Sequence, residues 1–146
     1  MPETRATLDT MERMLFLRRV PLFAQLAPED LQRMATAAIE RLYPAGEVIV
    51  QEGDPGDELV VIVDGRVRVV RGEGQDARPI RSYGPGDHIG ELALLRASPR
   101  AATVVADAPE VRALVIGGEG LKAILRERPE AAMAMLATLA ERISEQ

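Results

Sequence analysis

Hydrophobic positions recur along this chain with two different periods. Leu8, Met11, Met14, Leu15 and Leu17 follow near-helical spacing, which predicts a helix with Thr7 as its N-cap. Pro21 closes it, because the residue before a proline is pushed out of the helical region. A second helix is predicted from Pro28, a residue tolerated in a first turn, with Glu29 and Asp30 at the end where the helix dipole favours acids. Leu31, Met34, Ala35 and Ala38 form its inner face.

From about Ile39 to Ile116 the period drops to two. Eight strands are predicted: Ile39–Tyr43, Glu47–Gln51, Glu58–Val63, Val67–Arg71, Pro79–Tyr83, His88–Ile89, Ala101–Ala106 and Val111–Ile116. Turn signals separate them, among them Gly53-Asp54-Pro55-Gly56-Asp57 and Gly84-Pro85-Gly86-Asp87. Asp64-Gly65, lying between two valine-rich runs, predicts a tight hairpin, since both residues tolerate positive φ. Helical spacing then returns. Leu121, Ile124 and Leu125 mark one helix, Pro129 interrupts, and Ala132, Met135, Leu136, Leu139, Ala140 and Ile143 follow one face of another. The glycines at Gly117, Gly118 and Gly120 make a weak helix start and suit a hinge. Eight short strands flanked by helices predict a mainly β fold, a jelly roll or related β-roll, and the pattern alone leaves the topology open.

Length and composition narrow the function. A chain of 146 residues fits one domain with a real core. A net charge of −5 argues against a general nucleic-acid surface. Without cysteine there is no disulfide, thiolate nucleophile or cysteine metal site, which fits a cytoplasmic protein. No apolar run is long enough to span a membrane, and the start has no signal-peptide pattern. Catalysis is not expected. His88 is the single histidine and reads as a turn or strand residue, and Ser82, Ser98 and Ser144 are scattered. One histidine also excludes the histidine-rich metal centre of a cupin-like enzyme.

The candidate chemistry lies in Gly90-Glu91-Leu92-Ala93-Leu94-Leu95 and Pro99-Arg100-Ala101-Ala102-Thr103-Val104. Gly90 lets the main chain approach a bound group. The short helix predicted from Glu91 to Leu95 would offer unpaired amides to an anion. Arg100, returning across Ser98-Pro99, carries a planar fork suited to two phosphate oxygens. Glu91, an acceptor when ionised, suits ligand hydroxyls. A sugar acceptor beside a phosphate clamp describes a nucleotide pocket. The competing reading makes Glu91 and Arg100 a structural ion pair, and in an empty site the two could pair with each other.

These two segments resemble the phosphate-binding cassette of the cyclic nucleotide-binding domain family. Its members include regulatory subunits of cyclic AMP-dependent kinase, catabolite-activator-type regulators and cyclic nucleotide-gated channels. The similarity runs from about Val20-Pro21-Leu22-Phe23 to the end of the chain, giving a polar segment and helix over 1–19 and the binding domain over 20–146. The resemblance selects the β-roll, about 39–116, closed by helices about 118–145. It implies that Glu91 takes the ribose 2′-hydroxyl and Arg100 the cyclic phosphate. The amides of Ala93 and Ala101 would add phosphate contacts, with Gly90, Leu92 and Ala102 completing the ligand-binding set. No metal or cofactor is implied.

Ala101 stands where relatives that hold cyclic GMP often carry a hydroxyl, so the resemblance favours cyclic AMP over cyclic GMP. It further implies that the closing helices swing when ligand binds. Met133, Met135, Leu136 and Leu139 are candidate lid residues, and Ile80, Tyr83, Ile89 and Leu92 candidate lining or core. Arg66, Arg68, Arg71 and Arg81 read as a solvated strand face from which one side chain could reach ligand. The effector would lie outside this chain, since no helix-turn-helix fits after the closing helices. A homodimer through the C-terminal helix is a further expectation. The alternative is a degenerate β-roll kept for structure or dimerisation.

Overall fold

A computed structural model describes residues 7–90, 98–107 and 109–144. Helix α1 spans Thr10–Arg18 and α2 Pro28–Ala37, with a 3-10 turn at Pro21–Phe23 between them. Eight strands follow among the described residues: β1 Ile39–Pro44, β2 Val48–Val50, β3 Glu58–Asp64, β4 Val67–Arg71, β5 Arg78–Tyr83, β6 His88–Ile89, β7 Thr103–Ala106 and β8 Glu110–Gly117. Helices α3 (Gly118–Glu127) and α4 (Pro129–Ser144) close the chain.

The strands form two antiparallel four-stranded sheets, ordered β1-β8-β3-β6 and β2-β7-β4-β5. This is the expected mainly β roll with helices at both ends. The Asp64-Gly65 hairpin is corrected. β3 pairs with β6 and β8, whereas β4 pairs with β5 and β7, so Asp64-Gly65-Arg66 is a corner between sheets. Gly65 does take positive φ, +91°, and a Cβ there would overlap the carbonyl oxygen of Glu110. The turn chemistry was legible, but long-range pairing decides which strands it joins.

Two cores explain the valine-rich runs. In β3, Leu59 and Val61 face the helices while Val60 and Ile62 face the other sheet. In β8, Leu114 and Ile116 take the helix side, and Val111, Ala113 and Val115 the inner side. A sheet buried on both faces has no polar alternation to show. Leu17, Leu22, Phe23, Leu31, Met34, Leu121, Ile124 and Met135 complete the helix-side core.

Helix α1 departs from expectation at both its cap and its face. Asp9, not Thr7, is the N-cap, and it forms a reciprocal capping box with Glu12. Leu17 is its one buried residue, while Met11 and Leu15 are exposed. Helix α2 follows expectation, except that Asp30 is also buried. Arg128, at the α3–α4 junction, donates from Nε to Asp30 at 3.0 Å and from Nη2 to Glu29 at 3.3 Å. Those partners, Asp30 foremost, raise its pKa above the usual arginine value. Arg33–Glu127 forms a second tie between α2 and α3.

Candidate functional site

The site is set by one turn and one returning strand. The β2–β3 loop passes beside the chain entering β7, and main-chain bonds fix the two together. Gly53 N–H donates to the Arg100 carbonyl at 2.9 Å, and Arg100 N–H donates to the Asp54 carbonyl at 2.8 Å. Pro55 and Pro99 form a neighbouring bridge. Thr103 Oγ1 accepts from the Glu52 N–H at 3.0 Å and from Gln51 Nε2 at 3.3 Å. The loop is therefore held where it meets Arg100.

Arg100 is 8% exposed, and its Nη2 donates to the Glu58 carbonyl at 2.7 Å. Gly90 lies against the same group with φ of +101°. An ideal Cβ on Gly90 would overlap Arg100 Nη1, lie 3.1 Å from its Cζ and stand 2.9 Å from the Glu58 carbonyl oxygen. Glycine is favoured there twice over, by the backbone angle and by the Glu58 carbonyl, while the guanidinium would also have to shift for a Cβ. A buried guanidinium beside bare main chain has the charge and planar donors that suit an anion.

Glu58 is the member that sequence reasoning missed. Its carbonyl steadies Arg100, while its carboxylate pairs with Arg41 Nη1 at 3.1 Å. Hydrogen bonds with Tyr43 first, then Glu58, raise the Arg41 pKa above the usual arginine value, against the effect of burial. A main-chain acceptor leaves no trace in residue identity, so the sequence showed the Gly53–Asp57 turn and the strand starting at Glu58, but not the carbonyl's role.

The other predicted residues divide plainly. Ala101 is exposed, and its carbonyl accepts from Arg71 Nε at 3.3 Å. Ala102 packs partly buried against the inter-sheet core, as do Tyr83 and Ile89. Glu91, Leu92 and Ala93 lie outside the described residues. Ile80 is exposed. Arg66, Arg68, Arg71 and Arg81 are all exposed, with Arg68 paired to Asp107. Of the lid candidates, Met135 and Leu139 pack in the helix-side core, whereas Met133 and Leu136 are exposed.

Among the described residues, one hollow opens beside Glu58 and Pro99, and another lies under α4. One, of about 670 Å³, lies between the β2–β3 loop, Ser98-Pro99 and the start of α3, and includes Asp57, Glu58, Glu119 and Lys122. Gly118 N–H crosses its edge to the Asp57 carbonyl at 2.7 Å, tying the glycine-rich start of α3 to the loop. The other, of about 340 Å³, lies under α4 between Tyr83, Asp87, His88, Thr138 and Glu141. His88 lies in β6, as its strand reading expects. Among the described residues, no group of three His, Asp or Glu side chains could hold a metal ion.

Comparison with known proteins bears on this geometry. The sequence profile of a family described as the cyclic nucleotide-binding domain matches residues 40–128. The cAMP-dependent protein kinase regulatory subunit of Emericella nidulans is 42% identical over 110 residues, covering 75% of this chain and 26% of that protein. The Cyclic AMP receptor protein of Thermus thermophilus is 36% identical over 126 residues, covering 86% of this chain and 58% of that protein. The crystal structure of the N-terminal domain of a transcriptional regulator from Streptomyces coelicolor A3(2) superposes with a TM-score of 0.77 at 37% identity. That match covers 89% of this chain and 93% of the solved one. The chain thus spans about a quarter of the kinase regulatory subunit's length.

Proposed function

Because the chain belongs to the cyclic nucleotide-binding domain family, we propose that it is a non-catalytic sensor module that binds a cyclic mononucleotide, cyclic AMP in preference to cyclic GMP. One observation carries this reading: a buried arginine whose guanidinium lies across a positive-φ glycine, with its other side anchored on the Glu58 carbonyl. A guanidinium fixed in this way would suit a cyclic phosphate. Glu91 would accept from the ribose hydroxyl, and the amides of Ala93 and Ala101 would add to the phosphate contacts. Leu92 and Ala102 would close the pocket around the sugar. The names of the kinase subunit and the receptor protein support cyclic AMP, as does the missing hydroxyl at Ala101.

The output is movement of α3 and α4. A ligand shifts such an equilibrium only by its difference in affinity for the two states. The Gly118–Asp57 bond supports this reading, since it joins the loop beside Arg100 to the start of α3. The exposed Met133 and Leu136 on α4 would serve a homodimer or an effector in a cytoplasmic assembly. No helix among the described residues is long and apolar enough to cross a membrane.

The experiment is a calorimetric titration with cyclic AMP, cyclic GMP and linear 5′-AMP. Saturable binding in the order cyclic AMP, cyclic GMP, then 5′-AMP is expected. A folded sample giving no heat and no thermal shift with any of them would leave the degenerate structural domain as the function.

A further inference from the structure

Arg41 and Glu58 form an ion pair on an otherwise apolar wall. Side chains alternate between the two faces of a strand. Arg41 precedes Tyr43 by two residues on β1, and Glu58 precedes Val60 by two on β3. Tyr43 and Val60 both belong to the inter-sheet core, so Arg41 and Glu58 project from the inner face of the β1-β8-β3-β6 sheet. β8 separates their strands, and its positions on that face are apolar: Ala113 lies opposite Arg41 and Val115 opposite Val60. Arg41 reaches past β8, where its Nη1 donates to Glu58 Oε1 at 3.2 Å and lies 3.1 Å from Oε2. A hydrogen bond with Tyr43 holds Arg41 as well.

Stability does not account for a pair in this place. Both side chains are partly exposed, and such pairs add little to a fold. Apolar residues of similar volume would extend the surrounding core instead. The neighbour is what sets the pair apart. The carbonyl of Glu58 itself accepts from Arg100 Nη2 at 2.7 Å. Adding the bonds of an extended glutamate to that distance keeps its carboxylate within about 10 Å of the Arg100 guanidinium, whatever its rotamer. At roughly 0.05 M salt that is inside the screening length. A bare carboxylate at such a range repels the anion that Arg100 attracts.

We propose that Arg41 sets the affinity of the nucleotide site by neutralising Glu58, so that the wall beside Arg100 presents no net charge to the ligand's phosphate. The inference rests on the sensor reading above. Arg41 is a positioning residue that acts through Glu58. A structural clasp and a charge balance differ in sign. If the pair served only to hold the Glu58 carbonyl in place, losing either side chain would weaken binding. If it balances charge, removing Arg41 exposes an anion and weakens binding, whereas removing the Glu58 carboxylate leaves a cation and tightens it.

The test is calorimetric titration of cyclic AMP into wild type, Arg41→Gln, Glu58→Gln, the double variant and Arg41→Lys, at roughly 0.05 M and 0.5 M salt. Unit charges about 10 Å apart near a protein surface change affinity by about three- to tenfold. Arg41→Gln should bind that much more weakly at low salt, and Glu58→Gln more tightly. The double variant and Arg41→Lys should return to within about twofold of wild type, and the differences should shrink at high salt. Weaker binding in both single variants, no recovery in the double variant, or a loss that persists at high salt would overturn the proposal. So would wild-type affinity in a folded Arg41→Gln. Should Arg41→Gln fail to fold, Glu58→Gln decides alone, and unchanged or weaker binding in it would overturn the proposal. A wild type that binds no cyclic AMP would remove the sensor reading and this inference together, whereas the other outcomes bear on Arg41 only.

Discussion

Replacing Gly90 with alanine probes the site without touching a charge. The residue sits at φ +101°, and its new Cβ would overlap Arg100 Nη1 while standing 2.9 Å from the Glu58 carbonyl oxygen. Two costs follow. Holding a side chain in that backbone region costs about 1–3 kcal/mol, which appears as lost stability. For a domain of this size that lowers Tm by about 2–4 °C per kcal/mol. The second cost falls on Arg100, which must give way and lose its bond to Glu58. Binding an anion then requires returning the guanidinium to its place against the new Cβ; a restoring cost comparable to a charged hydrogen bond, about 1.5–3 kcal/mol, would weaken binding by about 10- to 150-fold. Thermal melts and cyclic AMP calorimetry read the two costs separately. The double variant Gly90→Ala, Arg100→Ala adds a check. With the guanidinium gone the Cβ has more room, so the combined stability loss should fall short of the sum. Unchanged Tm and cyclic AMP affinity within twofold of wild type in Gly90→Ala would refute this reasoning.

Three further substitutions test the frame. Gly65→Ala places a Cβ onto the Glu110 carbonyl at positive φ, so urea melts should show a loss of about 2–4 kcal/mol, larger than an exposed glycine would give. Thr103→Val removes the acceptor for the Glu52 N–H and should cost about 1–2 kcal/mol, with faster hydrogen exchange over residues 51–54. Asp30→Asn breaks the buried end of the Arg128 tie and should lower Tm clearly more than Glu29→Gln, whose carboxylate is exposed.

The frame was legible where local chemistry and global packing agree. The turn glycines, the valine alternation and the Pro28 helix start each point to the element that forms there. Asp64-Gly65 shows the limit, because an identical turn sequence serves a hairpin or a corner, and the choice rests on pairings tens of residues away. Helix α1 shows another. Met11 and Leu15 satisfy helical spacing, yet the face that docks runs through Leu17, with Met14 and Phe16 partly buried beside it. At the site, Gly90 and Arg100 were visible as residue types, and the structure brings them into contact. The Glu58 carbonyl and the buried Asp30 were not visible: one is main chain, and the other looked like an ordinary helix-start acid.

The central claim is that Arg100 binds the phosphate of a cyclic nucleotide, and the most direct measurement is its removal. Cyclic AMP is titrated calorimetrically into wild type and Arg100→Ala, with circular dichroism confirming that both fold. Removing one member of a buried charge pair commonly costs about 2–5 kcal/mol, or roughly 30- to several-thousand-fold in affinity. Wild type should bind saturably, and the variant should show a loss of that size. A folded Arg100→Ala that binds cyclic AMP as tightly as wild type would contradict it.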